Sequence, residues 1–471
     1  MGLKTADDIA IDGFDDPDAA TDGRDSLLPV STQTETTSPA PPASNQAVPY
    51  LDGLRGVAAL FVYFHHHVTE YYGDQAEILH GYGYKDSHHF AALPFARLFF
   101  TGGTPAVMIF FVLSGYVLSR SSLRMLRDGH SPSKHLLNAA IRRPIRLFAP
   151  PFLLSWPLVF ILHSPLKPIN NPLPIQPNLF AEIGHYLMEL LRTYNPFIQH
   201  GPWIQWFTYD PPVWTMAYEF NGSLLVYGTV ALFGRYLSAR GRGIGFGVAA
   251  IVAFYNCHFS MPCFMMGSLL AQNDVSAFDH SLLQRIPEQT RNIFFSAGFV
   301  FSWYLLSQVN PIDPAVPSTL DNLLRLLPLP FPFDFNPWLF SNMLGGIILV
   351  YTLLRLPWAQ RVFSHKYIRF LGRVSFCLYL THVPLMWIVS APLRRLLGET
   401  AKPDTKKLLV DGLLYIPDVG VQGLTTRYLV MQAAILPLNL LLADFVTTAV
   451  DERSVQASKI FAKNVMQRFG L

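Results

Sequence analysis

Charge is scarce in this chain. Asp, Glu, Lys and Arg make up 14% of its 471 residues, against roughly 25% in a typical soluble domain. A water-soluble body of this size would lack solvating groups. Cysteine is scarcer still. Cys257, Cys263 and Cys377 all sit in apolar stretches and form no CxxC pair, which leaves no disulfide framework and no zinc or redox motif. No segment joins a basic start to a short apolar core, so no secretory signal is expected and the first apolar run must direct insertion. No internal repeat is evident, which weighs against an inverted-repeat transporter. The formal net charge is only +3, and no nucleic-acid partner is expected.

What the chain has is apolar mass, 51% of all residues, gathered in runs. Residues 1–47 stand apart. They are acidic, then Ser/Thr/Pro-rich (DDIAIDGFDDPDAATDGRD, then STQTETTSPAPPASNQ), and too poor in apolar side chains to offset the entropy of ordering. They read as a disordered tail. Ten apolar runs follow, centred on Pro49–Tyr71, Thr104–Ser119, Leu147–His163, Val213–Phe233, Gly243–Tyr255, Pro262–Ala271, Ile293–Ser307, Leu339–Leu354, Ile368–Val389 and Tyr428–Val450. The fifth and sixth are short and broken by Asn256 and Pro262. The expected fold is all-α and polytopic, with about ten transmembrane helices. It divides into a tail at 1–47, a membrane domain at 48–450 and a cytoplasmic tail at 451–471.

Loop charges orient these spans, because cytoplasmic loops are enriched in Lys and Arg. The second, fourth and eighth connections are basic; the first and seventh lean acidic. That alternation puts both termini in the cytoplasm. Two connections depart from it. The sixth, assigned inside, mixes Arg285 and Arg291 with Asp274, Asp279 and Glu288. The ninth, assigned outside, carries Arg394, Arg395 and three lysines. In the outer segment His163–Pro212, LFAEIGHYLMELL reads as an amphipathic helix lying on the membrane surface.

Ionisable groups inside the runs are costly and mark candidate sites. LDGLRGVAALFVYFHHHV places Arg55 and His66 eleven residues apart, about three turns and 16 Å along one helical face, while His65 and His67 point elsewhere. Asp52 lies one turn before Arg55, suited to an ion pair. Gly53 and Gly56 allow a close helix approach. Glu219 lies within the fourth run and needs a partner or a proton. His382 lies in the ninth run, where Pro384 can bend the helix. In RRPIRLFAPP, Arg143 and Arg146 stand three apart at the start of the third run, with Pro144 placed for a first helical turn. Such guanidiniums fit lipid phosphate, topology or a phosphate-bearing cosubstrate.

Taken in order, six segments resemble the acyltransferase-3 family of polytopic membrane acyltransferases. They are LDGLRGVAALFVYFHHHV, FFTGGTPAVMIFFVLSGYVLS, RRPIRLFAPP, PPVWTMAYEFNGSLLVYG, FLGRVSFCLYLTHVPL and, more loosely, LLADFVTTAVDERSV. In the last, Asp451 and Glu452 stand where the family usually has Glu-Pro. The resemblance, closest to fungal members, implies transfer of an acyl group, acetyl above all, from acyl-coenzyme A to a hydroxyl of a small-molecule, lipid or sugar acceptor. It implies no metal. By position, His66 would be the catalytic histidine, with Arg55 and Glu219 in the catalytic set and Arg143 and Arg146 at the coenzyme A entrance. Asp52, Ser114, Tyr116, Trp214, Tyr379 and His382 would support them. A multi-pass protein of an endomembrane or the plasma membrane follows. The rival readings are a proton-coupled carrier using His66 and Glu219, and a non-catalytic partner in a lipid or glycan complex.

Overall fold

The computed structural model describes residues 48–470 apart from 74–76, 85–87, 166, 168–172, 196–205, 257, 309–318, 335, 400–408 and 422–423. The tail assigned to 1–47 and Cys257 lie outside the described residues. Each of the ten apolar runs is a helix: α1 (Pro49–Tyr72), α2 (Gly103–Arg127), α3 (Ser133–Leu162), α5 (Trp214–Tyr236), α6 (Ala239–Tyr255), α7 (Met261–Ser276), α8 (Glu288–Leu306), α9 (Pro337–Leu353), α10 (Lys366–Leu385) and α11 (Thr426–Val446). Two more complete the main set, α4 (Leu179–Thr193) and α12 (Glu452–Arg468). The fold is all-α among the described residues, except for a two-residue antiparallel ladder joining Gly420–Val421 to Leu424–Thr425.

Four helical stretches are both long and apolar enough to cross a membrane on their own: Gly103–Arg127, Ser133–Leu162, Lys366–Leu396 and Thr426–Arg468. A fifth is added if Pro337–Leu353 and Pro357–Phe363, bent by 100°, count as one span. Helix α1, at 24 residues, has the length but not the apolarity. Large apolar side chains point outward from mid-helix, among them Ile244, Val248 and Ile251 on α6, Ile293, Phe294, Val300 and Phe301 on α8, and Leu441 and Phe445 on α11. An apolar belt of this kind suits a lipid surround.

Local chemistry sets the helix ends. Pro49 opens α1 with its ring pre-set for the first turn, and Asp52 places a negative charge there. Asn178 caps α4 by accepting from Ala181 N at 2.9 Å, and Thr425 caps α11 by accepting from Tyr428 N at 3.3 Å. Helix α3 corrects one expectation. It begins at Ser133, so Pro144 is interior and not in a first turn, and Pro150, Pro151 and Pro157 are interior too. Prolines persist inside such a helix where neighbouring elements and side chains satisfy the freed carbonyls. After Pro384, α10 passes through a π turn at Met386–Ser390. Residues 451–468 continue from α11 through a π turn into α12, which packs on α3.

Helix α4 turns its polar side inward. Glu182 is fully buried and accepts from Tyr209, from Gln176 N at 2.8 Å and bonds His163 at 3.1 Å, while Phe180, Met188 and Leu191 are exposed. This is the face a helix presents when it lies in a membrane interface.

Pairwise contacts give the sense of neighbouring helices. Between α1 and α10, Arg55 meets Ser375 and His66 meets His382, so the two run parallel. Helix α2 runs parallel to α7, with Met108 on Cys263 and Tyr116 on Asp274. It also runs parallel to α5, with Ser114 on Glu219 and Leu126 against Gly234. Antiparallel pairs are α8 with α9, through Gly298–Thr352 and Leu306–Gly345, and α10 with α11, through Arg373–Asp444 and Thr381–Asn439.

Candidate active site

The site begins with glycine. At the α1–α10 crossing, a Cβ on Gly56 would lie 2.6 Å from the Leu371 carbonyl carbon, and one on Gly372 would lie 2.7 Å from that of Asp52. Only hydrogen at both positions lets the backbones touch. Ten residues beyond that crossing on each helix stand His66 and His382. His382 Nε2 is 3.1 Å from His66 Nδ1, with the ring centroids 5.0 Å apart.

The protons of this pair follow from its neighbours. His66 Nδ1 is 3.0 Å from Val62 O, and His382 Nδ1 is 3.1 Å from Leu378 O. A carbonyl only accepts, so each Nδ1 carries the hydrogen. His382 Nε2 is then a lone pair facing the His66 Nδ1–H, and His66 Nε2 is a second lone pair. His382 is fully buried, yet His66 keeps accessible surface, and its Nε2 has no partner among the described residues. The three consecutive histidines diverge. The His65 ring lies over Gly103, where an added Cβ would come within 2.6 Å of it, and the His67 ring packs 4.2 Å from Tyr63 with both nitrogens buried and bare.

The other end of the site is a charged cluster. Arg55 pairs with Asp52 at 2.9 Å and donates to Ser375 Oγ at 3.2 Å. Glu219 accepts from Arg143 at 3.0 Å and from Ser114 Oγ at 2.8 Å, with both ends of the pair buried. Arg146 lies within electrostatic reach of Asp451, Arg143 and Arg55. Arg55, Arg143 and Arg146 thus face Asp52, Glu219 and Asp451, with Arg142 and Glu452 also within reach. Opposite charges lie side by side, which offsets part of the cost of carrying them into an apolar bundle. Arg143 Nε remains without a partner among the described residues.

Tyr379 ties the histidine end to the start of α5. Its hydroxyl donates to Pro212 O at 2.7 Å and shares a hydrogen with Thr215 Oγ1 at 2.9 Å, and its ring lies 6.0 Å from that of His382. Of the remaining positions singled out in the sequence, Ser114 and Asp52 join the charged cluster. Two do not join the site. Tyr116 donates to Asp274 at 2.8 Å on the α2–α7 contact, and Trp214 packs with Trp206, Tyr218 and Phe259 at the start of α5. Ser375 and Asp451 were not singled out. The signal for Asp451 was present, an acid where the family's closing segment carries one. A separate open groove of about 1160 Å³, lined by Phe95, Asn292, Ile293, Ser296, Val300 and Tyr304 among others, contains none of these groups.

Comparison with known proteins identifies the family. The acyltransferase-3 family, described as an acyltransferase domain, matches residues 48–443. O-acetyltransferase PaAT-1 of Phomopsis amygdali is 27% identical over 446 residues, covering 87% of this chain and 83% of that protein. Acyltransferase R4 of a Phoma species is 22% identical over 416 residues, covering 74% and 84%. No solved structure matches significantly. The chain therefore belongs to the acyltransferase-3 family and is a membrane acyltransferase.

Proposed function

We propose that the protein transfers an acyl group, acetyl in the first instance, from acyl-coenzyme A to a hydroxyl of a small-molecule, lipid or sugar acceptor, with His66 as general base. One observation carries this reading. An imidazole with an open, unprotonated Nε2 is backed by a second imidazole, roughly 16 Å along α1 from an arginine cluster.

In this reading the coenzyme A phosphates rest near Arg143 and Arg146, where guanidinium forks match phosphate oxygens, and the pantetheine arm reaches toward His66. Glu219 holds Arg143 in place. His66 Nε2 takes the acceptor's hydroxyl proton as the oxygen attacks the thioester carbonyl. The imidazolium so formed donates from Nδ1 to His382 Nε2. When the tetrahedral intermediate collapses, the carbon–sulfur bond breaks, and the thiolate takes up the proton that His66 received. An ester and coenzyme A thiol result. Arg55 is too far along α1 to touch His66 and holds the donor's end of the arm.

We also propose ten spans with both termini in the cytoplasm. The sense of the packed pairs supports this count. Parallel neighbours are first with ninth, second with sixth and second with fourth; antiparallel neighbours are seventh with eighth and ninth with tenth. Every pair has the parity that ten alternating spans demand. The two discordant loops also come into line. Asp274 and Asp279 of the sixth connection pair with Arg355 of the eighth at 3.4 and 2.9 Å. In the ninth, Arg394 pairs with Glu399 and Arg395 with Asp411, so its two arginines are matched by acids.

The test is binding and turnover by purified protein in lipid nanodiscs. Acetyl-coenzyme A should raise the melting temperature and be consumed when acceptor is supplied. Replacing Arg143 and Arg146 together by glutamine should abolish the stabilisation. A protein neither stabilised by acetyl-coenzyme A nor consuming it would defeat this reading.

A further inference from the structure

The connection before α5 carries a carboxyl group that neither the fold nor the reaction uses. Asp210 is fully buried, and neither of its carboxylate oxygens has a partner among the described residues. Its place explains why. Asp210 precedes the short turn Pro211–Val213, where an aspartate would normally cap the next amides. Pro211 and Pro212 have no N–H, and Val213 N already donates to Asp210 O at 3.0 Å. The sequence thus removes the local partners while holding the backbone in place.

Three tyrosines lie within electrostatic reach of this carboxyl: Tyr186, Tyr194 and Tyr379. Tyr186 is satisfied by Ser155 and Phe152 O, and Tyr379 by Thr215 and Pro212 O. The Tyr194 hydroxyl is buried and bare like the carboxyl beside it. Around them the walls are aromatic. Phe148 stacks on Tyr194 at 4.7 Å, and fully buried Phe207 lies 6.3 Å from it. Tyr379 lies between these groups and His382, a turn further along α10.

Two bare polar groups walled by aromatic rings, one residue removed from the histidine pair, lack the partners that buried polar groups ordinarily have. We propose that Asp210 and Tyr194 receive a second hydroxyl of the acceptor, one not acylated, on an otherwise apolar skeleton. This rests on the acyl-transfer reading above. Burial pushes the Asp210 carboxyl well above the usual carboxylate range, which favours the neutral form, with one O–H to donate and a carbonyl oxygen to accept. A hydroxyl matches both at once. An ammonium group has no lone pair to accept the carboxyl O–H and would match only the ionised form, which burial disfavours.

The experiment uses the full chain in nanodiscs, acetyl-labelled coenzyme A, and a small-molecule extract of the organism that makes the protein as the acceptor mixture. Asp210→Leu, Asp210→Asn and Tyr194→Phe are compared with the unaltered protein across an extract dilution series. Asp210→Leu should raise the half-saturating extract concentration by about tenfold or more. Its melting temperature should be unchanged or higher, and acetyl-coenzyme A should still stabilise it. Asp210→Asn, neutral and with donor and acceptor kept, should restore most of the loss. Labelling by Asp210→Leu at unaltered concentrations would overturn the proposal. So would a lowered melting temperature, because the carboxyl would then be holding the fold. Absence of labelled product from the unaltered protein would instead sink the acyl-transfer reading itself.

Discussion

Replacing Gly372 by alanine adds one methyl group where two helices touch, and the structure fixes what must follow. The new Cβ would stand 2.7 Å from the Asp52 carbonyl carbon, while ordinary contact begins at 3.4 Å. The Asp52 carbonyl oxygen is nearer still, so helices α1 and α10 must part by at least about 0.7 Å at the crossing. The His66–His382 bond is 3.1 Å long and spans the same two helices. Carried along, it opens to about 3.8 Å or more, beyond a hydrogen bond. Overpacking of this kind costs about 1–3 kcal/mol, which a bundle of this size survives. A misplacement near 1 Å costs roughly a hundredfold in rate. Gly372→Ala should thus insert, purify and melt within a few degrees of the unaltered protein but transfer acetyl about 10- to 100-fold more slowly. Gly228→Ala on α5 is the control, since a Cβ there meets nothing within 4 Å. Its rate should not change. The assay is labelled acetyl transfer per mole of monodisperse protein. A Gly372→Ala protein with full rate would show that the crossing does not set the histidine geometry, and the reasoning would fail.

Other outcomes follow from the same contacts. His382→Ala should lower turnover by about 1–3 kcal/mol, or roughly 5- to 150-fold, and His382→Gln should recover part of it because its carbonyl can accept from His66 Nδ1; equal rates for both variants would deny His382 an acceptor role. Glu219→Gln leaves Arg143 buried and unpaired, which should cost about 3–5 kcal/mol and reduce the yield of folded protein, while adding Arg143→Met should restore yield but not activity. Burial alone would raise the Asp279 carboxyl, but Asn273, the Arg355 guanidinium and Tyr351 outweigh it and hold the group below the usual carboxylate range. That stabilisation is full above an unfolded value of about 3.9 and is lost as pH falls through the lower folded value. The melting-temperature gap between the unaltered protein and Arg355→Ala should therefore be constant above about pH 5 and close below about pH 4; a gap that widens in acid would contradict the pairing.

Much of this site could be read from local sequence, and the boundary of what could be read is physical. The Asp52–Arg55 pair is three residues apart on one helix, and the structure contains it at 2.9 Å. The glycines at 53 and 56 announced a close approach without naming the partner; Gly372 lies more than three hundred residues away. The start of α3 was misplaced because Pro144 mimics a first-turn proline, whereas packing against α5 and α12 sustains the helix back to Ser133. The partner of Glu219, and the pairing of His66 with His382, depend on tertiary packing that no local spacing encodes. Tyr116 and Trp214 share motifs with site residues, yet helical rotation turns them to other neighbours. Asp210 escaped notice because an aspartate before two prolines in a loop looks like ordinary turn chemistry.

The most direct test is His66→Ala in nanodiscs with acetyl-coenzyme A and acceptor extract, read by labelled ester and by thermal melting in parallel. The account predicts loss of ester formation with acetyl-coenzyme A stabilisation retained, because the proposed donor site is the arginine cluster and not His66. A His66→Ala protein that forms labelled ester at the unaltered rate would contradict it.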